Sequence, residues 1–433
     1  MTKPQDGRTL RVGVAGLGTV GGGLLDFLAS RPDFAPAGGR VVVTGVSARS
    51  RSRPRAVDIS HLAWFDDPVA LAQSPDTDVF VELIGGSDGP AKAAVEAALG
   101  AGKAVVTANK ALIAEHGAAL AALAEAKGVA LLFEAAVMGG VPAVKTVREA
   151  LVGEEIRSLS GILNGTCNYI LTEMETTGSA FSDVLADAQR LGYAEADPTM
   201  DVGGFDAAHK ITILAALAFG GSPNFAAAEI QGITHVDLLD IRLAGDLGYR
   251  VKLIASAERA GQGARVRVRP FLVRKTHPIA QADGALNALF IEGKRIGRIF
   301  LQGPGAGSGP TAAAVAADIA DVMTGGSRPV FQAPAGTLTP CAPSEGVTPE
   351  GRGYIRVMVR DEPGVLAAVS EELAEAGVSI ESFLQKPPGE AAGVPIVMTT
   401  HAVAESILDA AVARIAKLPA VLEAPRLLHI AGI

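Results

Sequence analysis

Five ionisable side chains lie within one short segment of this 433-residue chain, LGYAEADPTMDVGGFDAAHK, residues 191–210: Glu195, Asp197, Asp201, Asp206 and Lys210. Carboxylates that share a pocket raise one another's pKa unless a cation or hydrogen bonds compensate. The segment runs directly into the apolar stretch ITILAALAF, which we predict to be a buried helix. Asp206 and Lys210 are four residues apart on that helix and therefore share a face. The spacing predicts a site at the mouth of a buried element, with a surface ion pair as the alternative.

A glycine-rich turn near the N-terminus has the pattern of a nucleotide-binding loop. Gly16, Gly18 and Gly21 form G-x-G-x-x-G between a predicted strand, Arg11–Ala15, and a predicted helix. In that context the glycines allow a tight turn, close approach of a pyrophosphate and helix packing, and the helix N-terminus faces the phosphates. A chance glycine cluster is the weaker alternative. We expect a dinucleotide to contact Gly16, Leu17, Gly18, Thr19, Val20 and Gly21.

The end of the second predicted strand, Val41–Val46, indicates which dinucleotide is bound. NAD enzymes usually carry an acidic residue there for the ribose hydroxyls. This strand runs instead into a loop of serines and arginines that includes Arg49. Such residues suit a 2′-phosphate, so the sequence favours NADP over NAD, unless the arginines only solvate a loop.

Three further polar clusters follow predicted elements. Lys110, in TANKALI, begins a helix against the helix dipole, which suggests a role beyond solvation. Glu134 ends the fifth strand before a Gly-Gly turn, and with backbone carbonyls it could hold a hard cation, although the turn alone would explain the glycines. GILNGTCNYI, residues 161–170, presents small polar groups that could bind a substrate or serve as caps.

The composition limits the class of protein. A chain of this length should divide into two or three domains, and 48% hydrophobic residues describe a soluble α/β protein. A net charge of -8 with 4% aromatic residues argues against nucleic-acid binding. No apolar run reaches the ~20 residues of a membrane span, no signal peptide is recognisable, and two cysteines are too few for a disulfide framework. We therefore expect a cytoplasmic protein.

The order of predicted elements suggests three domains. Apolar strands alternating with helices up to residue 134 predict a doubly wound parallel sheet, which the helical segment at about 303–335 is expected to rejoin. Residues 135–302 are predicted to form a separate α+β domain, to which the family resemblance given below assigns substrate binding and dimerisation. The Pro- and Gly-rich stretch 336–352 predicts a linker. Residues 353–433 follow the β-α-β-β-α order of a ferredoxin-like module.

Together these motifs resemble those of homoserine dehydrogenases in their longer form, which ends in an ACT regulatory domain. GLGTVG, TANK, EAAVMGGVP, GILNGTCNYIL, LGYAEADPTMDVGGFDAAHK and GPGAGSGPTA occur in the family's order and spacing, over nearly the whole chain. The chain departs at Cys167, where Thr is usual, and at Ser308, where Gly is common. The resemblance implies an oxidoreductase that interconverts L-aspartate 4-semialdehyde and L-homoserine with NAD(P), in threonine and methionine biosynthesis.

The resemblance also implies roles for single residues. A lysine would give a proton to the developing alkoxide, and the sequence does not choose between the two candidates. The implied catalytic residues are Lys210, Lys110 and Asp206, and the implied substrate contacts are Glu195, Asp201, Thr166 and Tyr193. Thr107, Lys110 and Gly307 would join the glycine turn and Arg49 around the cofactor. A sodium-type cation would be held by Glu134 and by carbonyls near Val137, Gly139 and Val141.

The C-terminal module suggests regulation. Asp361, Pro363 and Gly364 correspond to the loop where ACT domains often bind an amino acid at a dimer interface, with threonine as the candidate effector and a homodimer or homotetramer expected. An ACT domain that only joins subunits is the alternative.

Two other functions are open for the whole chain. One is an NADP-linked semialdehyde dehydrogenase, which would need an activated Cys167 or Cys341, and the other is a non-catalytic amino-acid sensor.

Overall fold

The N-terminal part of the chain is built on a six-stranded parallel sheet. The computed structural model describes residues 9–34, 39–261, 263–325, 328–342, 349–386 and 393–433. The strands are β1 (Thr9–Ala15), β2 (Arg40–Ser47), β3 (Ala63–Phe65), β4 (Val79–Glu82), β5 (Ala104–Thr107) and β6 (Leu131–Leu132). They lie in the order β3-β2-β1-β4-β5-β6 with every neighbouring pair parallel. This order is that of the dinucleotide-binding doubly wound fold, so the prediction of that fold is confirmed.

Helices cover both faces of this sheet because its strands are apolar on both sides. The helices are α1 (Thr19–Ser30), α2 (Pro68–Gln73), α3 (Pro90–Gly100) and α4 (Lys110–Lys127). On one face, Leu24 and Leu28 of α1 pack with Val315 and Ile319 from a much later helix, Ser308–Thr324. The later helix therefore rejoins the first sheet, and it brings a second glycine-rich turn to the same region.

The middle of the chain forms a helical layer on a mainly antiparallel sheet. Its helices are α5 (Ala135–Met138), α6 (Ala143–Lys145), which continues as a π-helical turn over Thr146–Ala150, α7 (Gly165–Thr177), α8 (Phe181–Leu191), α9 (Thr199–Val202), α10 (Phe205–Phe219) and α11 (Leu238–Asp246). The strands are β7 (Ile156–Ile162), β8 (Glu229–Ile230), β9 (Tyr249–Ala260), β10 (Gly263–Arg274), β11 (Leu286–Gly293) and β12 (Gly297–Pro304). Short 3-10 turns occur at Phe225–Ala227, Pro278–Gln281 and Ala335–Thr337, and the helix that returns to the first sheet, Ser308–Thr324, is α12.

The C-terminal module has the ferredoxin-like arrangement that its sequence predicts. It contains β13 (Glu350–Val359), α13 (Val365–Glu375), β14 (Ile380–Gln385), β15 (Val394–Thr400), β16 (Val403–Ala404), α14 (Glu405–Ile415) and β17 (Arg426–Ile430). Its main strands lie in the order β17-β13-β15-β14 and are antiparallel.

The middle and C-terminal sheets are continuous. β10 and β17 pair in parallel, with Phe271 beside His429 and Leu272 beside Ile430, and this pairing joins eleven strands into one sheet. Glu405, the first residue of α14, accepts hydrogen bonds from Arg267 (2.8 Å) and from Arg269 (2.9 and 2.6 Å) of β10. The C-terminal module is therefore fixed to the middle of the chain by backbone pairing and by a buried ion cluster.

Two sequence-based boundaries differ from the structure. β13 begins at Glu350, inside the segment 336–352 predicted as a linker, because Glu350 and Gly351 pair with β16. From the sequence, the run Val266–Val268 predicts only a short strand, whereas β9 and β10 are twelve residues each and pair along their whole length. Within the parts of the chain that the structure describes, no helix combines the length and the apolar character that crossing a membrane requires.

Candidate active site

A cavity of about 640 Å³ lies where the first sheet meets the middle of the chain. It opens at the carboxyl edge of β1, β4 and β5, where doubly wound sheets bind ligands. Its wall combines the start of α1, the β5–α4 turn, α5, the start of α7, the loop before α9, α10, the start of β11 and the glycine-rich turn before α12. The lining includes Val20, Lys110, Val137, Gly139, Asn164, Thr166, Tyr193, Asp201, Asp206, Lys210, Asn287 and Gly307.

One carboxylate bridges two lysines at the centre of this cavity. Lys210 Nζ lies 2.7 Å from Asp206 Oδ2, and Lys110 Nζ lies 2.9 Å from Asp206 Oδ1. Lys210 also donates a hydrogen bond to the carbonyl of Leu163 at 2.8 Å. Asp206 and Lys210 lie one turn apart on α10, while Lys110 is the first residue of α4 and reaches the carboxylate from the other half of the molecule. The structure therefore brings together all three residues for which a catalytic role is predicted.

The surroundings separate the pKa values of the two lysines. The Asp206 carboxylate raises the pKa of Lys110 despite partial burial. Burial lowers the pKa of Lys210, and the Asp206 contact offsets this only in part. Burial alone would raise the pKa of Asp206, but the two ammonium groups outweigh it and hold that pKa below its usual range. Lys210 is thus the lysine that gives up its proton more readily.

Asn164 connects Asp206 to a second acid, Asp201. Its amide donates to Asp206 Oδ2 at 2.8 Å and to Asp201 Oδ1 at 2.7 Å, while its own oxygen caps α7 through the N–H of Cys167. Burial and the neighbouring Asp206 raise the pKa of Asp201. The sequence offered Asn164 only as one of several small polar residues, because an N-cap and a bridging amide look the same in sequence.

The other residues predicted to bind the substrate lie at different depths. Tyr193 is 47% exposed at the rim of the cavity and stacks on Tyr169, with the ring centroids 4.6 Å apart. Thr166 also lines the cavity, and its hydroxyl donates to the carbonyl of Tyr193 at 2.7 Å. Glu195 is exposed and does not line the cavity. Asp197 accepts hydrogen bonds from the N–H and the hydroxyl of Thr199, so it caps the start of α9.

The three motif glycines occupy the positions that a dinucleotide cradle needs. Gly16 has a φ of +99°, and a Cβ there would lie 2.3 Å from the carbonyl oxygen of Leu83. A Cβ at Gly21 would lie 2.0 Å from the carbonyl oxygen of Gly16. A Cβ at Gly18, in contrast, would meet no atom of the described residues within 4 Å. The first and third glycines are thus required by packing, whereas the second leaves open space at the N-terminus of α1.

Thr107 and Arg49, both predicted to contact the cofactor, have side chains in very different surroundings. Thr107 is fully buried and does not line the cavity; its hydroxyl donates to Glu82 Oε2 at 2.5 Å and accepts the N–H of Asn109, so its side chain is already engaged within the protein. Arg49 is exposed, two residues beyond the end of β2. Arg55 donates to backbone carbonyls of this loop and its guanidinium lies 5.5 Å from the centroid of the Trp64 ring system. The arginine-rich loop is therefore folded rather than extended into solvent.

Glu134 lies behind the cavity and caps a helical turn. Its two carboxylate oxygens accept the N–H groups of Val144 (3.0 Å) and Lys145 (2.7 Å). Burial raises the pKa of Glu134 to about 7. Val137 and Gly139 border the same cavity, Val141 follows in the same turn, and Gly139 has a φ of +55°. One buried carboxylate beside a tight turn with backbone carbonyls is a donor set that fits a hard cation of low charge.

The two cysteines lack the properties of a nucleophile. Cys167 is fully buried, its thiol donates to the carbonyl of Asp201 at 3.1 Å, and burial raises its pKa well above the usual value. Burial likewise raises the pKa of Cys341 to about 11. Catalytic cysteines have lowered pKa values, so the geometry argues against thioester chemistry.

The predicted effector loop is exposed. Asp361, Pro363 and Gly364 lie on the surface between β13 and α13. Gly364 has a φ of +91° and precedes the first residue of α13, which explains the glycine.

A doubly wound sheet with a glycine-rich phosphate turn, next to a lysine–carboxylate–lysine cluster, defines a nicotinamide-dependent oxidoreductase. Models of known families match in the same regions: the homoserine dehydrogenase NAD-binding domain over residues 16–134, homoserine dehydrogenase over 142–320 and the ACT domain over 353–420. The chain belongs to the homoserine dehydrogenase family.

Individual relatives agree with this assignment, two of them over nearly the whole chain. The homoserine dehydrogenase of Pseudomonas aeruginosa is 43% identical over 424 residues, which cover 96% of this chain and 97% of that protein. The crystal structure of a homoserine dehydrogenase from Thiobacillus denitrificans has a TM-score of 0.91 at 40% identity and covers 99% of both chains. A hyperthermophilic archaeal homoserine dehydrogenase solved in complex with NADPH has a TM-score of 0.65 at 26% identity, covering 74% of this chain and 99% of that one.

Proposed function

We propose that Lys210 is the acid–base group of homoserine oxidation and semialdehyde reduction, and that Lys110 remains charged beside it. The observation that carries this proposal is the single carboxylate of Asp206 in contact with both lysines, whose pKa values are moved in opposite directions. A group that exchanges protons works best when its pKa approaches the working pH. The bound nicotinamide cofactor supplies or accepts the hydride. Lys210 gives its proton to the oxygen of the aldehyde and takes one back from the hydroxyl of homoserine.

Asp206 holds Lys210 in place, and its negative charge opposes the lowering of the Lys210 pKa by burial, so that Lys210 can carry the proton that it donates. Its contacts with Lys210, Lys110 and Asn164 fix the carboxylate from three sides. We propose that Asp201 faces the substrate's ammonium group, with Thr166 and Tyr193 at the rim. Glu195 would reach that group only if the exposed loop before α9 moved inward when the substrate binds.

We propose that NADP is the preferred cofactor. The turn from Gly16 to Gly21 and Gly307 hold the dinucleotide, and the arginine-rich loop after β2 receives the 2′-phosphate. The basis is the absence of an acidic residue at the end of β2, which ends at Ser47 and is followed by Arg49 and further arginines.

The remaining proposals concern a cation, an effector and assembly. Glu134 and the turn through Val137, Gly139 and Val141 would hold a monovalent cation such as sodium, which would keep the turn beside the cavity in shape. The loop at Asp361, Pro363 and Gly364 would bind an amino acid, with threonine as the first candidate, and the chain would form a homodimer or homotetramer. Sedimentation measures the assembly state, and isothermal titration with threonine measures binding of the effector.

The central experiment is an assay of homoserine-dependent reduction of NADP and of NAD by the wild-type chain, Lys210→Met and Lys110→Met. We expect Lys210→Met to lose about 10²–10⁴-fold in kcat, the usual contribution of a positioned proton-transfer group. Lys110→Met should keep more of that rate and should mainly raise KM for homoserine. Full turnover in Lys210→Met would reject the assignment, and a wild-type chain without homoserine oxidation would reject the function as a whole.

A further inference from the structure

Asn287 carries a buried amide in the cavity wall. It belongs to none of the sequence motifs and has no role in the proton transfer proposed for Lys210. It is the second residue of β11, is 1% exposed, and borders the same cavity as Lys210. Its Nδ2 donates to the carbonyl of Leu163 at 3.2 Å, and the same oxygen accepts the hydrogen bond from Lys210 Nζ. One backbone oxygen therefore links Asn287 to the proton-donating lysine.

The other half of this amide has no partner. Among the residues that the structure describes, no donor reaches Asn287 Oδ1, although the atom is buried. Buried acceptors without a hydrogen bond are rare in native proteins because their desolvation is not compensated. Because the carbonyl of Leu163 is an acceptor, the amide atom beside it must be the NH₂ group. The unpartnered atom is therefore the oxygen Oδ1, which can accept a hydrogen bond from an N–H or O–H donor.

The position of Asn287 indicates where such a donor comes from. The amide lies flat against Gly305, where a Cβ would come within 2.1 to 2.3 Å of all three amide atoms. Gly305 belongs to the glycine-rich turn that leads through Gly307 into α12, and α12 packs against α1 beside the dinucleotide cradle, with Ser308 against Gly23. Asn287 therefore lies between the lysine cluster and the turn on the cofactor side of the cavity.

Near the reacting carbon, the ammonium group of the substrate and the carboxamide of the nicotinamide ring carry N–H donors. The adenine amino group lies at the far end of the dinucleotide, and the homoserine hydroxyl is already assigned to Lys210. The ammonium group of the substrate is a cation and is matched by carboxylates, which this cavity offers at Asp201 and Asp206. The carboxamide of the nicotinamide ring is neutral and suits a neutral acceptor. Resting on the function proposed above, we propose that Asn287 Oδ1 accepts a hydrogen bond from the carboxamide NH₂ of the bound nicotinamide and so fixes the rotation of the ring toward Lys210.

The test removes the hydrogen bond from each side in turn. Isothermal titration measures the Kd of NADP and of its 3-acetylpyridine analogue, in which a methyl group replaces the carboxamide NH₂, for the wild-type chain and for Asn287→Leu. Leucine has a similar shape and no acceptor. We expect Asn287→Leu to raise the Kd of NADP about tenfold, which corresponds to one neutral hydrogen bond, and to change the Kd of the analogue less than about threefold. Asn287→Ser, whose hydroxyl is too short to replace the amide, takes the place of the leucine variant if that chain does not fold.

Other results would overturn the inference. An equal rise of both Kd values would mean that Asn287 acts through the shape of the wall. Unchanged Kd values with a raised KM for homoserine would assign the acceptor to the substrate's ammonium group. Either result leaves the proposed function intact, whereas a wild-type chain that binds NADP without oxidising homoserine would reject that function and leave the hydrogen bond measurable.

Discussion

Replacing Asp206 by Asn tests the electrostatic core of the site. The substitution keeps the size of the side chain and an oxygen for Asn164, but it removes the negative charge that lies 2.7 Å from Lys210 Nζ and 2.9 Å from Lys110 Nζ. Two ammonium groups then face each other without a counterion. Because burial already lowers the pKa of Lys210, loss of its partner lowers that pKa further.

The size of the effect follows from the distances. An opposite charge within about 4 Å moves a pKa by about 1–3 units, and each unit corresponds to about 1.4 kcal/mol. Lys110 lowers the pKa of Lys210 in both chains and so does not enter the difference; we expect the loss of Asp206 to shift that pKa downward, with an effect on the order of a few kcal/mol. Homoserine oxidation needs neutral Lys210 and rises with pH through this pKa, while semialdehyde reduction needs the ammonium and falls. Both midpoints should therefore move to lower pH in Asp206→Asn.

The assay is the pH dependence of kcat in both directions, with Asp201→Asn as the matched control. Asp201 bonds the same Asn164 amide and lies in the same cavity, and neither lysine makes an ion pair with it in the structure described here. Its removal should shift the midpoints by much less than the removal of Asp206. Midpoints that stay in place in Asp206→Asn, or that move equally in both variants, would refute the assignment of Lys210 as the titrating group.

Two further outcomes follow from the structure. Glu405→Gln should lower the free energy of unfolding at neutral pH by about 2–3 kcal/mol, because Arg269 and Arg267 hold the pKa of Glu405 at about 2 in the folded chain although burial opposes this. The stabilisation is present above the unfolded value near 4.5 and is lost as the pH falls toward 2, so urea titrations of the two chains should converge in acid. Gly18→Ala should keep the thermal midpoint and weaken NADPH binding at least tenfold, since its methyl group enters open space at the phosphate end of α1, whereas Gly21→Ala should lower the midpoint as well; equal midpoints, measured by calorimetry, would contradict this.

Five of the six strands of the first sheet were predictable because their information is local. The three-residue edge strand β3 was not predicted, since within the described residues no helix separates it from β2. Each of the five strands is a short apolar run and each helix separates two of them, so the order of elements implies parallel pairing. From the sequence, the apolar run Val79–Ile84 predicts a single strand. The structure ends it at Glu82, because the Glu82 carboxylate accepts the N–H groups of Ile84 and Gly85 and turns the chain. The glycine spacing likewise predicts the phosphate turn.

The cover over one face of β10 was not predictable, because it comes from a distant part of the chain. Arg265, Arg267 and Arg269 alternate along ARVRVRP and therefore share one face of the strand. Two of these arginines bind Glu405, more than 130 residues away, and β17 pairs with Phe271 and Leu272, whereas the twelve-residue length of β10 comes from its pairing with the neighbouring β9. The alternation of side chains along a strand shows which of them share a face, but it does not show which part of the chain covers that face.

The site, like the sheets, combines contacts between residues that are close in the sequence with contacts between residues that are far apart in it. Asp206 and Lys210 were paired by their helical spacing alone, and their contact is local. Lys110 was suspected because an ammonium at a helix N-terminus opposes the helix dipole, an unfavourable contribution of about 0.3–1 kcal/mol. The Asp206 carboxylate at 2.9 Å explains why that position is tolerated: it raises the pKa of Lys110 against both the dipole and burial. The helix end disfavours a lysine at position 110, and an acid distant in the sequence stabilises it there, so its position depends on the fold of the whole site. The sequence therefore indicates that Lys110 is unusual, but it cannot show which residue stabilises it.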